Sequence, residues 1–309
     1  MPSLQTTRLR APALLLAAAL NGVAGFAAAQ STVVRVQTTQ GAIDLQLLDA
    51  EAPLNVANFL AYVRGGDFVD SLFSRSIPGF VIQGGGYRWP ATGPITLTLN
   101  RGAVANEFSA TRSNVRGTVA MAKNPGKPDS ATNEWFVNLA DNSQPCPTSD
   151  PLSGGLDCQN GGFTVFARVS TAGMAVVDSI AALPRLNAAS LVQAWTSMPV
   201  SALPISTAEV LRSRSVLMTQ LTEFPAKAGV TDADRIFNHL EKAFPSYTPQ
   251  AGKLSGTWEG YTYRFYPEGP TYVGIKDNQL WYLLPNSSPD IGRLGTVTDW
   301  LVIAATNGS

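Results

Sequence analysis

Residues 73–86 read FSRSIPGFVIQGGG: a single cation, Arg75, set in an apolar segment that three glycines close. Phe73 and Ile77, then Val81 and Gln83, mark two short extended runs, and residues 76–79 (Ser-Ile-Pro-Gly) form the break between them. Phe80 follows Arg75 by five residues and Gln83 by eight, so apolar bulk and an amide accompany the guanidinium. A surface arginine that pairs with a nearby carboxylate is the plain alternative to a functional one.

The flanking segments supply the context. Residues 32–49 (TVVRVQTTQGAIDLQLLD) alternate Val34 and Val36, then Ile43, Leu45 and Leu47, around Thr39, Gln40 and Gly41, which predicts a hairpin of half-buried strands. In residues 52–66, Val56, Phe59, Leu60 and Val63 recur at helical spacing with Pro53 at the start and Gly65 past the end, so a short amphipathic helix is expected. Residues 117–124 (GTVAMAKN), 133–141 (NEWFVNLAD) and 162–170 (GFTVFARVS) are further strands. Residues 172–183 form a second helix, and residues 213–224 (SRSVLMTQLTEF) a closing strand. Many short strands with two helices argue for an antiparallel barrel or sandwich rather than a parallel sheet.

Taken in order, FSRSIPGFVIQGGG, RGTVAMAK, DSATNEWFVNLAD and GFTVFARVSTAGMAVVDSI resemble the cyclophilin family of peptidyl-prolyl cis-trans isomerases, of the bacterial exported type, over residues 31–224. The resemblance implies a mainly β fold: a closed eight-stranded antiparallel barrel with two capping helices and a proline-binding groove on its outer face. It also implies the site. Arg75 matches the catalytic arginine and Gln83 the glutamine that orients it. Phe80, Met121, Phe136 and Phe163 match the proline pocket, and Ala122 with Lys123 the segment whose main chain pairs with substrate. Three positions depart from the family pattern: Ser74 replaces a histidine, Glu134 a glutamine and Trp135 a phenylalanine. Glu134 is thus expected beside the substrate, either pairing with Arg75 and lowering turnover or accepting a peptide N-H. Leu156 takes the place of a pocket wall that is often aromatic.

The implied chemistry suits these residue types. An X-Pro bond isomerises over a barrier of about 18–20 kcal/mol because the twisted amide loses its resonance. A catalyst therefore needs no nucleophile, metal or cofactor, only an apolar grip on the ring and a donor aimed at the twisted amide. The partners implied are proline-containing polypeptides. The alternative is a catalytically weak or inactive relative that only binds proline peptides or serves in adhesion.

Composition bounds the rest. With 309 residues, 45% hydrophobic, and 22 basic against 22 acidic side chains, the chain can bury a core and lacks the basic excess of a nucleic-acid binder. Residues 1–29 carry Arg8 and Arg10, an apolar run and a closing Ala-Ala-Ala, the layout of a signal peptide, which predicts a periplasmic or secreted protein. An uncleaved anchor is the alternative, but the apolar run falls short of the ~20 residues of a membrane span. In an oxidising compartment Cys146 and Cys158, in a Pro/Gly/Ser-rich loop, are expected to form a disulfide worth about 3 kcal/mol; two cysteines with a remote His239 make a poor metal site.

Residues 30–224 would then be the isomerase-like domain and 225–309 a small α+β module. In the latter, Thr231 is a helix N-cap before Ile236, Phe237, Leu240 and Phe244. Residues 261–285 read as a three-stranded meander, and residues 291–305 as ending in a short helix. The module's aromatics, Trp258, Tyr261, Tyr263, Phe265, Tyr266, Tyr272, Trp281 and Tyr282, suit a core, with a carbohydrate- or peptide-contacting face as the other reading. His239 is expected at the helix surface or an interface.

Overall fold

The computed structural model describes residues 30–145, 154–284 and 290–309. The expected signal peptide and Cys146 lie outside the described residues. The expected Cys146–Cys158 bridge therefore has only one described partner.

The hairpin forms as the alternation requires: β1 (Val33–Thr38) and β2 (Gly41–Leu47) pair antiparallel across a two-residue turn at Thr39 and Gln40. Helix α1 (Pro53–Arg64) starts on its proline, and the Glu107 carboxylate accepts hydrogen bonds from the Leu54 and Asn55 amides, satisfying two donors that a helix start leaves unpaired. Strands β3 (Ser71–Ile77), β4 (Val81–Arg88), β5 (Thr118–Met121), β6 (Trp135–Asn138) and β7 (Val165–Val169) follow. Then come α2 (Thr171–Ala182), N-capped by the Ser170 hydroxyl, α3 (Ala208–Arg214) and β8 (Met218–Phe224). The sheet runs β8-β1-β2-β7-β5-β6-β4-β3, and the two-residue strand Thr96–Leu97 pairs with β4.

The curled sheet is open, which corrects the expected closed barrel. Its end strands β3 and β8 do not pair as a ladder. They are joined by one isolated bridge, Leu72 to Leu217, with backbone hydrogen bonds from Phe73 to Val216 and from Asp70 to Met218. The far end of β3 is instead bridged to Ser197, whose carbonyl accepts from the Ser76 amide (2.8 Å). Inside the curl, Phe59 of α1 packs on Phe166 (centroids 5.1 Å) and Trp135 (5.9 Å), and Trp135 on Phe73 (5.6 Å).

Helix α4 (Asp232–Ala243) is capped by the Thr231 hydroxyl, which accepts from the Asp234 amide as its sequence predicts. The meander has five strands, not three: β9 (Leu254–Trp258), β10 (Tyr261–Tyr266), β11 (Thr271–Lys276), β12 (Gln279–Leu284) and β13 (Asp290–Thr296), all antiparallel neighbours in that order. Helix α5 (Val297–Thr306) follows. Ile236, Phe237 and Leu240 of α4 and Leu301 of α5 pack on Tyr266, Val273, Ile275 and Leu280 of one sheet face, whereas Phe244 is the C-cap and 44% exposed. His239 is buried beside Trp300, not exposed to solvent.

This core takes in Val33 and Phe224 from the curled sheet. Polar contacts reinforce the junction: the Ser31 amide and hydroxyl donate to Asp232, Arg235 donates to the Ser31 carbonyl (2.8 Å), and Thr298 donates to Gln46 (2.7 Å). Burial pushes the Asp232 carboxyl pKa up, and its Ser31 hydrogen bonds pull it back. Among the described residues no helix is long and apolar enough to cross a membrane.

Candidate active site

Side chains alternate across a strand, so each strand of the curl has an inner and an outer face. Val119 and Met121 of β5, Trp135 and Val137 of β6, and Ile82 of β4 point into the main core. Ala120, Phe136 and Val81 point the other way and cluster with Leu156 and Val165, with Phe80, Ala122 and Phe163 packed against them.

Arg75 reaches this outer face because of a bulge. Phe73 pairs with Gly84, yet Arg75 pairs with Gln83, so Ser74 is an extra residue on β3. Plain alternation would send Arg75 inward with Phe73, which is fully buried; the bulge turns it outward onto the face of Gln83.

The outer face holds a cavity of about 400 Å³ lined by Arg75, Phe80, Val81, Gln83, Ala122, Lys123, Glu134, Phe136, Leu156 and Phe163, among others. The structure thus brings together every expected site residue except Met121. That side chain is 1% exposed in the main core, because β5 parity pairs it with Val119. Val81 takes its place as a wall. Its period-two relation to Gln83 was the sequence signal for it.

Three polar side chains run in line. Arg75 Nη1 donates to Gln83 Oε1 (3.4 Å), and Gln83 Nε2 donates to Glu134 Oε2 (2.9 Å). The expected Arg75–Glu134 pairing is therefore relayed through the amide; among the described residues the two form no direct salt bridge. Burial lowers the Arg75 pKa and the Glu134 charge raises it; burial raises the Glu134 pKa, while the Gln83 hydrogen bond and Arg75 lower it. The glycines after Gln83 make room: Gly85 has φ +92°, and a Cβ on Gly86 would overlap the Glu134 carboxyl. Arg75 also lies 5.8 Å from the Phe80 centroid.

The apolar end is built on fixed main chain. Phe136 and Phe163 meet edge to face at 5.8 Å. The Leu156 amide donates to the Asn142 carbonyl (2.6 Å) and the Phe163 amide to the Leu156 carbonyl (2.8 Å), while Asn114 donates to Asp157, anchoring the base of the cysteine loop. Asn114 and Asn142 were not singled out by sequence reasoning; isolated amides in loops carry no periodic signal. Lys123 Nζ donates to the carbonyls of Asn160 (2.9 Å) and Gly162 (2.6 Å) and sits 4.7 Å from the Phe163 ring centre. Burial pushes its pKa down to about 8. No group of three or more His, Cys, Asp or Glu among the described residues is placed to hold a metal ion.

The model of the cyclophilin type peptidyl-prolyl cis-trans isomerase/CLD family matches residues 33–210. The chain belongs to that family. It is 36% identical to peptidyl-prolyl cis-trans isomerase A of Dickeya dadantii over 60% of this chain and 88% of that one. Against peptidyl-prolyl cis-trans isomerase B of Escherichia coli it is 38% identical over 48% of this chain and 83% of the relative. A Cryptosporidium parvum cyclophilin type isomerase, solved in the presence of the dipeptide ala-pro, aligns over 64% of this chain and 99% of its own with 17% identity and a TM-score of 0.42. The cavity joins an apolar recess and a cation beside it.

Proposed function

We propose that this cyclophilin isomerises X-Pro bonds of exported polypeptides, with Val81, Phe136, Leu156 and Phe163 gripping the proline ring and Arg75 polarising the prolyl amide. The observation that carries this reading is the convergence of Arg75 and these four apolar side chains in one cavity. A guanidinium hydrogen bond that strengthens as the amide nitrogen gains its lone pair favours the twisted state. Such a charge-assisted bond is worth about 1.5–3 kcal/mol, or roughly one to two powers of ten in rate. Gln83 keeps the guanidinium in place, and Ala122 and Lys123 offer main chain to the substrate. Residues 1–29, with their paired arginines, apolar run and terminal alanines, support export, and export supports a Cys146–Cys158 disulfide at the rim. Residues 30–224 form the isomerase unit and 225–309 an accessory module.

The test is a protease-coupled or NMR exchange assay on a short Ala-Pro peptide. Arg75→Ala is expected to lower kcat/KM by about 10- to 100-fold with the peptide still bound. A second reading, proline-peptide binding without turnover, draws on Gln83 being engaged by Arg75 and Glu134 at once. Wild-type turnover no faster than the uncatalysed rate would select it.

A further inference from the structure

Glu134 is the one carboxylate among the described residues lining the cavity, and the proposed reaction does not use its charge. It shares the outward parity of Phe136, two residues on, and its side chain lies flat over Gly86. Oε2 accepts from Gln83; among the described residues Oε1 makes no hydrogen bond and lies against Gly86, in a side chain that lines the cavity. The carboxylate is thus half-stripped of water and half-compensated. The cations nearby do not complete it. Arg75 is held one amide away, and Lys123 is turned toward the Asn160 and Gly162 carbonyls and the Phe163 ring at the loop end.

We infer that Glu134 is a specificity-determining residue that selects X-Pro segments carrying a lysine or arginine immediately before the proline. This rests on the isomerase reading of the same cavity. The side is set by the order of groups. Arg75 is aimed at the amide nitrogen, which joins the ring to the residue before the proline, and the relay from Arg75 through Gln83 to Glu134 is made of polar groups that stand apart from the ring-gripping cluster. A side chain on that preceding residue is therefore the one that meets Oε1. A cation there restores the interaction that burial removed from the carboxylate, while an anion meets an unscreened like charge. Arg75 opposes a substrate cation, but its charge lies behind Gln83 and is directed at the amide.

The experiment compares kcat/KM for peptides that differ only in the residue before proline, lysine, alanine or glutamate, and for one with alanine before and lysine after it. With wild type the order Lys > Ala > Glu is expected, with a Lys-to-Glu ratio of about 10 at low salt that shrinks as salt is added. Glu134→Gln should narrow that ratio to within about twofold, because it keeps the shape and the acceptor but removes the charge. A flat wild-type series, a spread that persists in Glu134→Gln, or a preference confined to lysine after the proline overturns the assignment. If no peptide is turned over, the isomerase reading fails instead. The selectivity is then read by calorimetric titration of the same peptides, where equal affinities for the lysine and glutamate forms overturn it.

Discussion

Two sheet faces in this cyclophilin carry aromatic rings away from the core that backs them, and they differ in what the rings do. On the curled sheet, Phe80, Phe136 and Phe163 stand around a recess into which a bulge delivers Arg75. On the C-terminal sheet, Tyr263, Phe265 and Tyr272 lie opposite the helix-covered face and pack on one another, Phe265 and Tyr272 stacked at 4.2 Å. Lys276 there covers the Tyr261 ring and, among the described residues, meets no amide partner comparable to Gln83. Ring content is similar. What separates the faces is convergence: the first has an irregularity that re-aims a charge and a pinned loop that adds a wall, and the second is regular.

The largest effect that sharpens this contrast lies at the junction of the two parts. Asp232→Ala removes the acceptor of both Ser31 donors and takes from Arg235, 2% exposed, the carboxylate that most favours its charge. Breaking such a buried polar set costs about 3–5 kcal/mol. Chemical denaturation should show the loss, and the transition should involve the whole chain if the C-terminal module folds with the curled sheet. A second, separate transition in the wild type would show the module to be independent.

How much of this was legible in sequence follows from the same contrast. Phe80, Gln83, Phe136 and Phe163 came from the family resemblance; alternation alone accounts only for Val81 sharing the face of Gln83, because period-two parity survives translation into a pleated strand. Parity also explains the error at Met121: a four-residue strand offers little to phase, and the neighbouring Ala120 and Ala122 are too small to announce an outer face. The Ser74 bulge had no signal of its own, since it depends on how β3 meets Gly84 and Gln83. In the module, β9 was missed because Leu254 and Trp258 are exposed at its ends, and β13 because glycines interrupt its alternation. The open curl could not be read at all, for closure is a matter of register between β3 and β8.

A smaller effect concerns the loop wall. Lys123 holds Asn160 and Gly162 as an ammonium, and its pKa of about 8 lies within an accessible range. As pH rises from 7 to 9 the group loses its charge and its hold on the loop weakens, so KM for an Ala-Pro peptide should rise about two- to fivefold. Stability runs the other way. A folded-state pKa below the unfolded value of 10.5 means the unfolded chain binds more protons between about 8 and 10.5, so this group's contribution favours folding more as pH rises through that window and is lost as pH falls through 8. Lys123→Met should flatten the KM profile while keeping the aliphatic contact with Phe163. A KM rise of the same size in Lys123→Met would assign the pH dependence to another group.

The smallest effect is the one that tests the contrast from its other side. If the C-terminal rings serve packing among themselves, Tyr272→Ser should cost only the stacking with Phe265 and the contact with Tyr263, about 1 kcal/mol beyond the loss of buried ring area. Turnover of a short X-Pro peptide should stay within about twofold of wild type, since energetic effects of distant, unconnected sites combine independently. The comparison is then repeated with a long substrate, an unfolded polypeptide whose refolding is limited by prolyl isomerisation. Equal rates for wild type and Tyr272→Ser on that long substrate leave the aromatic face as structure. A deficit on the long substrate alone would mean that the flat face holds the chain while the curved one turns the bond, since a second foothold raises the local concentration of prolines at the cavity without touching the chemistry there.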